Sequence, residues 1–375
     1  MTRLKLFLRI VACVLVLAIC AGAFSGCGPG FYQNPEAGSG DNAPGDKAPG
    51  DKAPGDKAPG DKAPGGKAPG DYKMVLILPG PINDQNWNTT NYNGMTSANA
   101  TLGTNIEYVE NVQAEDFEST FRNYAERGYD LILSAGTQFD EPVNRVAENY
   151  PDTIFCVING VISGFDNVAP VFPAEYEGSY LGGIVAGDVT GNGQFGVIGA
   201  FPNDHMERLL DTYMYAAVET AKANGFANAE AVRAYANSWE DLNLGKQMTE
   251  AMIDSGADTV LVYANQVGLG AIQACVERGV NFIGISSDQN DIAPETVLAS
   301  IVYDFEKLYT WAVAQFLDGT LRGKVFQAGL AEDIFYISYG PSITQDTKDK
   351  VEEARKQIIS GALDMSPMFS NPISY

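Results

Sequence analysis

Glu126-Arg127-Gly128-Tyr129-Asp130-Leu131-Ile132-Leu133 and Asp254-Ser255-Gly256-Ala257-Asp258-Thr259-Val260-Leu261 follow one pattern. Each reads as a helix end, a glycine stop and an apolar strand to be buried. Around them, short apolar runs at 74–78, 106–110, 131–134, 154–158, 195–198, 232–235, 259–263 and 282–285 alternate with amphipathic helical stretches. Strands that are apolar on both faces, each followed by a helix, predict parallel sheets covered on both sides. Two such halves in tandem predict an α/β fold of two doubly wound parallel-sheet domains joined by a hinge. Ligands of such sheets sit beyond the carboxyl ends of the strands, so function is sought in those loops.

This body begins near Tyr72 and is long enough for two cores. The expected division is 72–190 plus about 300–330 in a first lobe, and 191–299 plus about 331–375 in a second. Ahead of it stands a repeat of Ala-Pro-Gly-Asp-Lys from Ala43, drifting at Gly66 and Tyr72. Proline and glycine in every copy, with no apolar face, leave nothing to offset the entropy of ordering. Residues 27–71 are therefore expected to be a tether, reaching about 130 Å if drawn out as polyproline II.

Residues 1–26 form a signal-peptide pattern: Arg3, Lys5 and Arg9, an apolar run from Ile10 to Phe24, then Ser25-Gly26 before Cys27. The apolar run is about 15 residues, short of the roughly 20 that span a bilayer as a helix. Phe24-Ser25-Gly26-Cys27 resembles the bacterial lipobox, with Phe24 where leucine is usual. The resemblance makes Cys27 the lipidation site and places the protein on the extracytoplasmic face of the cell membrane. The alternative is ordinary cleavage and release.

The chain has 24 basic and 47 acidic residues, a net charge of -23, and loses three of the basic ones with the signal segment. Such a surface repels phosphate backbones, so no nucleic-acid partner is expected. Beyond Cys27 only Cys156 and Cys275 remain, in different halves, and both are expected to be buried and unbridged.

There is one histidine, His205, which excludes multi-histidine metal sites and is expected to cap or flank a helix start. The G-x-G-x-x-G at 191–196 precedes a strand, so it cannot offer a helix N-terminus to a pyrophosphate. With no P-loop or G-x-S-x-G pattern, no catalytic residue, cofactor or metal ligand is assigned.

What remains is aromatics and short polar groups just after strands. Asp84, Asn86 and Trp87 follow the first strand, and Trp239 follows the run at 232–235, so the two tryptophans are expected to clamp a flat ring across the cleft. Stacking on each face is worth about 0.5 to 1.5 kcal/mol beyond area burial. In the competing reading Asn83 or Asp84 caps the next helix and Trp87 packs beneath the loop. Further candidate ligand-binding residues are Phe139 in the loop 136–140, Asn159, Gln266 in the loop 264–270, Tyr303, and Asp288, which also suits a turn. Trp311, mid-helix, is expected in the core.

These loops together resemble the basic membrane protein family of lipoproteins, the purine-nucleoside-binding components of ABC importers. The resemblance rests on Gly80-Pro81-Ile82-Asn83-Asp84-Gln85-Asn86-Trp87-Asn88, Arg122 to Ile132, Tyr150 to Phe155, Glu177-Gly178-Ser179-Tyr180-Leu181-Gly182-Gly183, Ser238-Trp239-Glu240-Asp241 and Ser287-Asp288-Gln289. It implies a type I periplasmic-binding-protein fold, ABC permease subunits as partners, no catalysis, and a purine held between Trp87 and Trp239 with Asn86 and Asn159 at the base. A monomer is expected. Where the family carries charged groups suited to ribose, this chain has Leu78, Ser286 and Tyr303. A hydrogen bond to charge contributes roughly 1.5 to 3 kcal/mol, so their loss points to a ligand without ribose, such as a free nucleobase. The runner-up ligand is a sugar, since tryptophan faces also stack on pyranose rings. A ligand-sensing co-receptor or surface adhesin is the reading without transport.

Overall fold

The computed structural model describes residues 66–84 and 87–370. Cys27, the signal segment, most of the tether and Asn86 lie outside the described residues.

Strands and helices alternate through the first half. They run β1 (Met74–Ile77), α1 (Trp87–Leu102), β2 (Ile106–Val109), α2 (Phe117–Glu126), β3 (Leu131–Ala135), α3 (Asp140–Ala147), β4 (Ile154–Ile158) and β5 (Val171–Pro173). After α4 (Glu175–Val189) come β6 (Gln194–Gly199), α5 (Asp204–Ala223), β7 (Glu230–Tyr235), α6 (Leu242–Asp254), β8 (Thr259–Tyr263), α7 (Asn265–Arg278), β9 (Asn281–Ser286) and β10 (Val297–Tyr303). The chain ends with α8 (Phe305–Leu317), β11 (Phe326–Ala328), β12 (Phe335–Tyr339) and α9 (Gln345–Ile359).

Two six-stranded sheets result, in the orders β11-β5-β4-β3-β1-β2 and β12-β10-β9-β8-β6-β7. The first is parallel throughout, and in the second only β12 runs antiparallel, with Ala299 opposite Tyr339. All eight expected strands are present. Central strands are buried at every residue, as in β1, β3, β4 and β10, whereas β7 at the sheet edge alternates toward solvent. Alternate residues serve opposite faces. Met74 and Leu76 join the main core, while Val75 and Ile77 pack with Phe121, Phe139 and Phe155 beneath α2 and α3. Each such fully buried side chain contributes roughly 1.5 to 3 kcal/mol.

The glycine stops of the repeated pattern behave alike. Gly128 has φ +72° and Gly256 φ +110°, left-handed conformations that end a helix and aim the next strand back into its sheet.

The lobes exchange more chain than the sequence reading expected. Helix α4, assigned to the first lobe by the boundary at 190, packs along α5 of the second. Gly183 and Gly187 approach so closely that an added Cβ would meet the carbonyl oxygens of Tyr213 and Ala217, each at 2.4 Å. Strand β10, expected in part beyond residue 300 in the first lobe, pairs with β9 and β12 in the second sheet. The chain therefore crosses between lobes three times, from β5 into α4, from β10 into α8 and from β11 into β12. Helix α9 joins the second lobe: Thr347 and Lys350 both bond the carboxylate of Asp188 on α4. No helix among the described residues is long and apolar enough to cross a membrane.

Candidate functional site

The strand directions bring the candidate loops to the carboxyl ends of both sheets. Trp87 opens α1, and its indole Nε1 donates to the carbonyl of Ala135, the last residue of β3, at 3.1 Å. The ring meets Phe305 edge-on at 5.6 Å. Asp84 holds this loop from beneath. Its carboxylate accepts from the backbone N–H groups of Asn88 and Thr89, both at 2.9 Å, and from the Asn88 amide at 2.7 Å. That makes it a helix cap, the competing role expected for it, with both carboxylate oxygens engaged by the turn they anchor.

The expected ligand contact of Phe139 is corrected. It is fully buried between Phe117 and Phe121, on the face of the first sheet covered by α2 and α3. Asn159 ends β4 in the left-handed conformation, φ +66°, and its side-chain oxygen is buried with no hydrogen-bond partner. Below that loop Asp140 is 3 % exposed and accepts the Val161 N–H at 2.9 Å. Burial pushes its carboxyl up to about 6, against the opposing pull of the Val161 and Ile162 backbone.

In the second lobe Trp239 lies between β7 and α6, exposed at 36 %, with Tyr263 edge-on at 6.2 Å and Phe201 tilted at 6.2 Å. Its carbonyl accepts from the backbone of Gln266, whose side chain is exposed at the start of α7. The two tryptophans do not occupy equivalent places, as the sequence reading supposed. Trp87 follows β1, whose counterpart in the second sheet is β6, whereas Trp239 follows β7, the counterpart of β2. The counterpart of the Trp87 loop is the stretch from Phe201 to His205. Asp288 accepts from Ser338 Oγ at 2.6 Å and from the Asn290 backbone at 3.1 Å, which fixes the turn after β9 to β12.

Sequence reasoning missed a buried polar hub. Glu175, first residue of α4, is 4 % exposed, and one oxygen, Oε2, lies 2.9 Å from His205 Nε2, 3.3 Å from Tyr263 Oη and 3.4 Å from Tyr303 Oη. The histidine contact has ion-pair distance but is off-line for a hydrogen bond; the two tyrosines donate properly. Tyr303 thus pairs with this carboxylate. Burial and then the negative charge of Glu175 hold both tyrosine hydroxyls well above the usual range, so they remain donors. His205 does not cap α5, a role taken by Asn203 through the Met206 N–H at 2.9 Å; it packs edge-on against Phe172 of β5. Two residues on, Glu177 accepts the Leu330 N–H at 2.7 Å in the third crossover. Glu175 and Glu177 therefore bind the first crossover to the other lobe and to the last crossover.

A cavity of 260 Å³ lies elsewhere, among Phe195, Val232, Met248 and Met252 at the opposite end of β6, and it converges no polar side chains on one point.

Two α/β lobes of mainly parallel sheet, linked by three crossovers, have the fold of periplasmic-binding-protein-like solute-binding proteins. The chain belongs to the Bmp family, described as ABC transporter substrate-binding protein PnrA-like, whose family model matches residues 72–365. It is 28 % identical to the transcriptional activator protein Med of Bacillus subtilis over 76 % of this chain and 87 % of that one. It is also 28 % identical to a putative ABC transporter glucose-binding protein of Haloferax volcanii, over 69 % and 64 %. A purine-binding protein of Brucella abortus is 27 % identical over 80 % and 84 %. Among solved structures, a transcriptional activator of comK from Bacillus halodurans matches with TM-score 0.66 at 21 % identity, covering 80 % of this chain and all of that one. An ABC solute-binding protein from Aeropyrum pernix matches with TM-score 0.64 at 23 % identity, covering 78 % and 92 %. The family is one of substrate-binding proteins of ABC transporters, which are extracytoplasmic.

Proposed function

We propose that this protein is the lipid-anchored binding component of an ABC importer and carries a flat heterocycle, a purine nucleobase or nucleoside, between Trp87 and Trp239. The observation that carries this reading is the placing of two partly exposed indoles at carboxyl strand ends, Trp87 after β1 and bonded to the end of β3, and Trp239 after β7 and packed against Tyr263 of β8. The buried, unpartnered oxygen of Asn159 supports it, because a purine amino or imino N–H would satisfy that acceptor. Closure of the lobes would complete the clamp. Among purines we favour the free base: Leu78 is fully buried and Tyr303 is engaged with Glu175, so neither offers a charge to ribose. The purine-binding relative agrees with this reading. Cys27 supplies the lipid anchor, and ABC permease subunits are the protein partners of a monomer.

Calorimetric titration of the body from residue 72 onward with purine bases, nucleosides and sugars tests the reading. Micromolar or tighter binding of a base is expected. Tight inosine or guanosine binding without response to bases would refute the nucleobase form. The glucose-binding relative favours a second ligand class, and a response to sugars alone would establish it in place of purines.

A further inference from the structure

Glu175 uses only half of its carboxylate within the protein. His205, Tyr263 and Tyr303 all converge on Oε2, from the start of α5 and the ends of β8 and β10. Among the described residues no hydrogen bond reaches Oε1. Oε1 is not among the polar atoms sealed from solvent without a partner, so it stays open to a donor from outside the protein while Oε2 is taken. If Glu175 served only to tie α4 to β8 and β10, one acceptor oxygen would suffice, and a neutral side chain could supply it without a buried charge.

The place is also right for a ligand. Tyr263, which donates to Oε2, is the residue against which Trp239 packs, and Phe172 of the first lobe touches His205 at 5.0 Å. The hub therefore sits where β5 passes into α4, at the carboxyl ends of the second sheet, beside the proposed ring clamp. The two tyrosine donors on Oε2, with His205 at ion-pair distance beside them, hold the carboxylate and with it the direction of Oε1.

We infer that Glu175 is a ligand-recognising carboxylate whose Oε1 accepts a hydrogen bond from an N–H of the bound heterocycle, with His205, Tyr263 and Tyr303 as its positioning residues. The inference rests on the cleft reading above and adds a selection rule: the ligand must present a donor on the edge turned to α4. A base whose N–H at that edge is replaced by N–CH₃ loses the bond and leaves the carboxylate buried without a donor.

The test is calorimetric titration of the full-length chain in detergent with adenine, hypoxanthine, guanine and xanthine, and with N-methyl analogues of whichever base binds tightest. Glu175→Gln is measured in parallel, since its amide can keep an oxygen toward the two tyrosines only by turning an NH₂ toward the ligand. At least tenfold weaker binding to Glu175→Gln, and to at least one N-methyl analogue in the wild-type chain, is expected. Binding of the parent base by Glu175→Gln within twofold of wild type overturns the inference and leaves the cleft reading standing. If Glu175→Gln does not fold, wild-type affinities within twofold for every N-methyl analogue overturn it equally. Absence of binding of any base to the wild-type chain overturns the cleft reading itself, and the inference with it.

Discussion

The indole nitrogen of Trp87 donates to the carbonyl of Ala135, so this side chain is pinned to the end of β3 by a bond as well as by packing on Phe305. Trp87→Phe keeps an aromatic face and loses the bond, and base affinity is expected to fall about threefold to tenfold. Trp87→Ala removes the face and is expected to cost more than tenfold. Calorimetry with the tightest-binding base separates the two, and equal losses in both variants would show that the ring itself does not stack.

Asp140 gives an alkaline limb to stability. Its carboxyl is raised to about 6 by burial, above the ordinary aspartate value, so its contribution is fully present at low pH and is lost as pH rises through 6. Two-state unfolding in urea at pH 4 to 8 is expected to show wild type losing about 2 to 3 kcal/mol relative to Asp140→Asn across this range. A pH-independent difference would exclude a buried ionisation there.

Asp188 has the opposite sign. Burial raises its carboxyl, but hydrogen bonds from Lys350, Thr347 and Asn224 outweigh this and hold it below the usual carboxylate range. Its contribution is present above the ordinary aspartate value and is lost as pH falls through the lowered one. Asp188→Asn is expected to destabilise by about 1 to 3 kcal/mol at pH 7 and to loosen α9, which hydrogen exchange over residues 345–359 would reveal.

Gly94 is where α1 meets α8. An added Cβ would lie 2.5 Å from Tyr309 Cδ2 and 2.8 Å from the Phe305 carbonyl oxygen. Gly94→Ala is expected to cost about 1 to 3 kcal/mol by forcing the helices apart, seen as a lowered Tm. Because Phe305 also contacts Trp87, base affinity should fall with it.

Cys156 and Cys275 are free and buried, and burial raises both thiols, that of Cys275 up to about 12. Neither is expected to react with a thiol reagent in the native protein, and both should label on unfolding. Peptide mass analysis after brief exposure at pH 8 would check this.

How far the sequence predicted the molecule depended on whether a signal was local. The eight long apolar runs and the glycine stops at Gly128 and Gly256 were legible because each is a pattern within a few residues. Strands β5 and β11 were not: three residues carry no period, and their identity comes from pairing, β11 with β5 and β5 with β4. Trp87 and Trp239 were legible as aromatics after strands, but their unequal placing needed the strand order. Phe139 was misread because a core phenylalanine has the same composition as a binding-loop one, whereas the capping of Asp84 was one of the two roles its place after a strand suggested. The Glu175–His205 pair was invisible, since thirty residues separate them and only the parallel packing of α4 on α5 brings them together. Its sole sequence trace is Glu175-Tyr176-Glu177, two acids at the start of a helix that carries no further charge until Asp188.

The third crossover governs the order in which the protein is assembled. The first sheet takes its edge strand from residues 326–328 and the second takes β12 from residues 335–339, so neither lobe can be completed until almost the whole polypeptide is available. Such late, distant pairing makes folding slow. On the proposed export route that delay is an advantage: an emerging N-terminal portion has no finished domain to lock into before translocation is over.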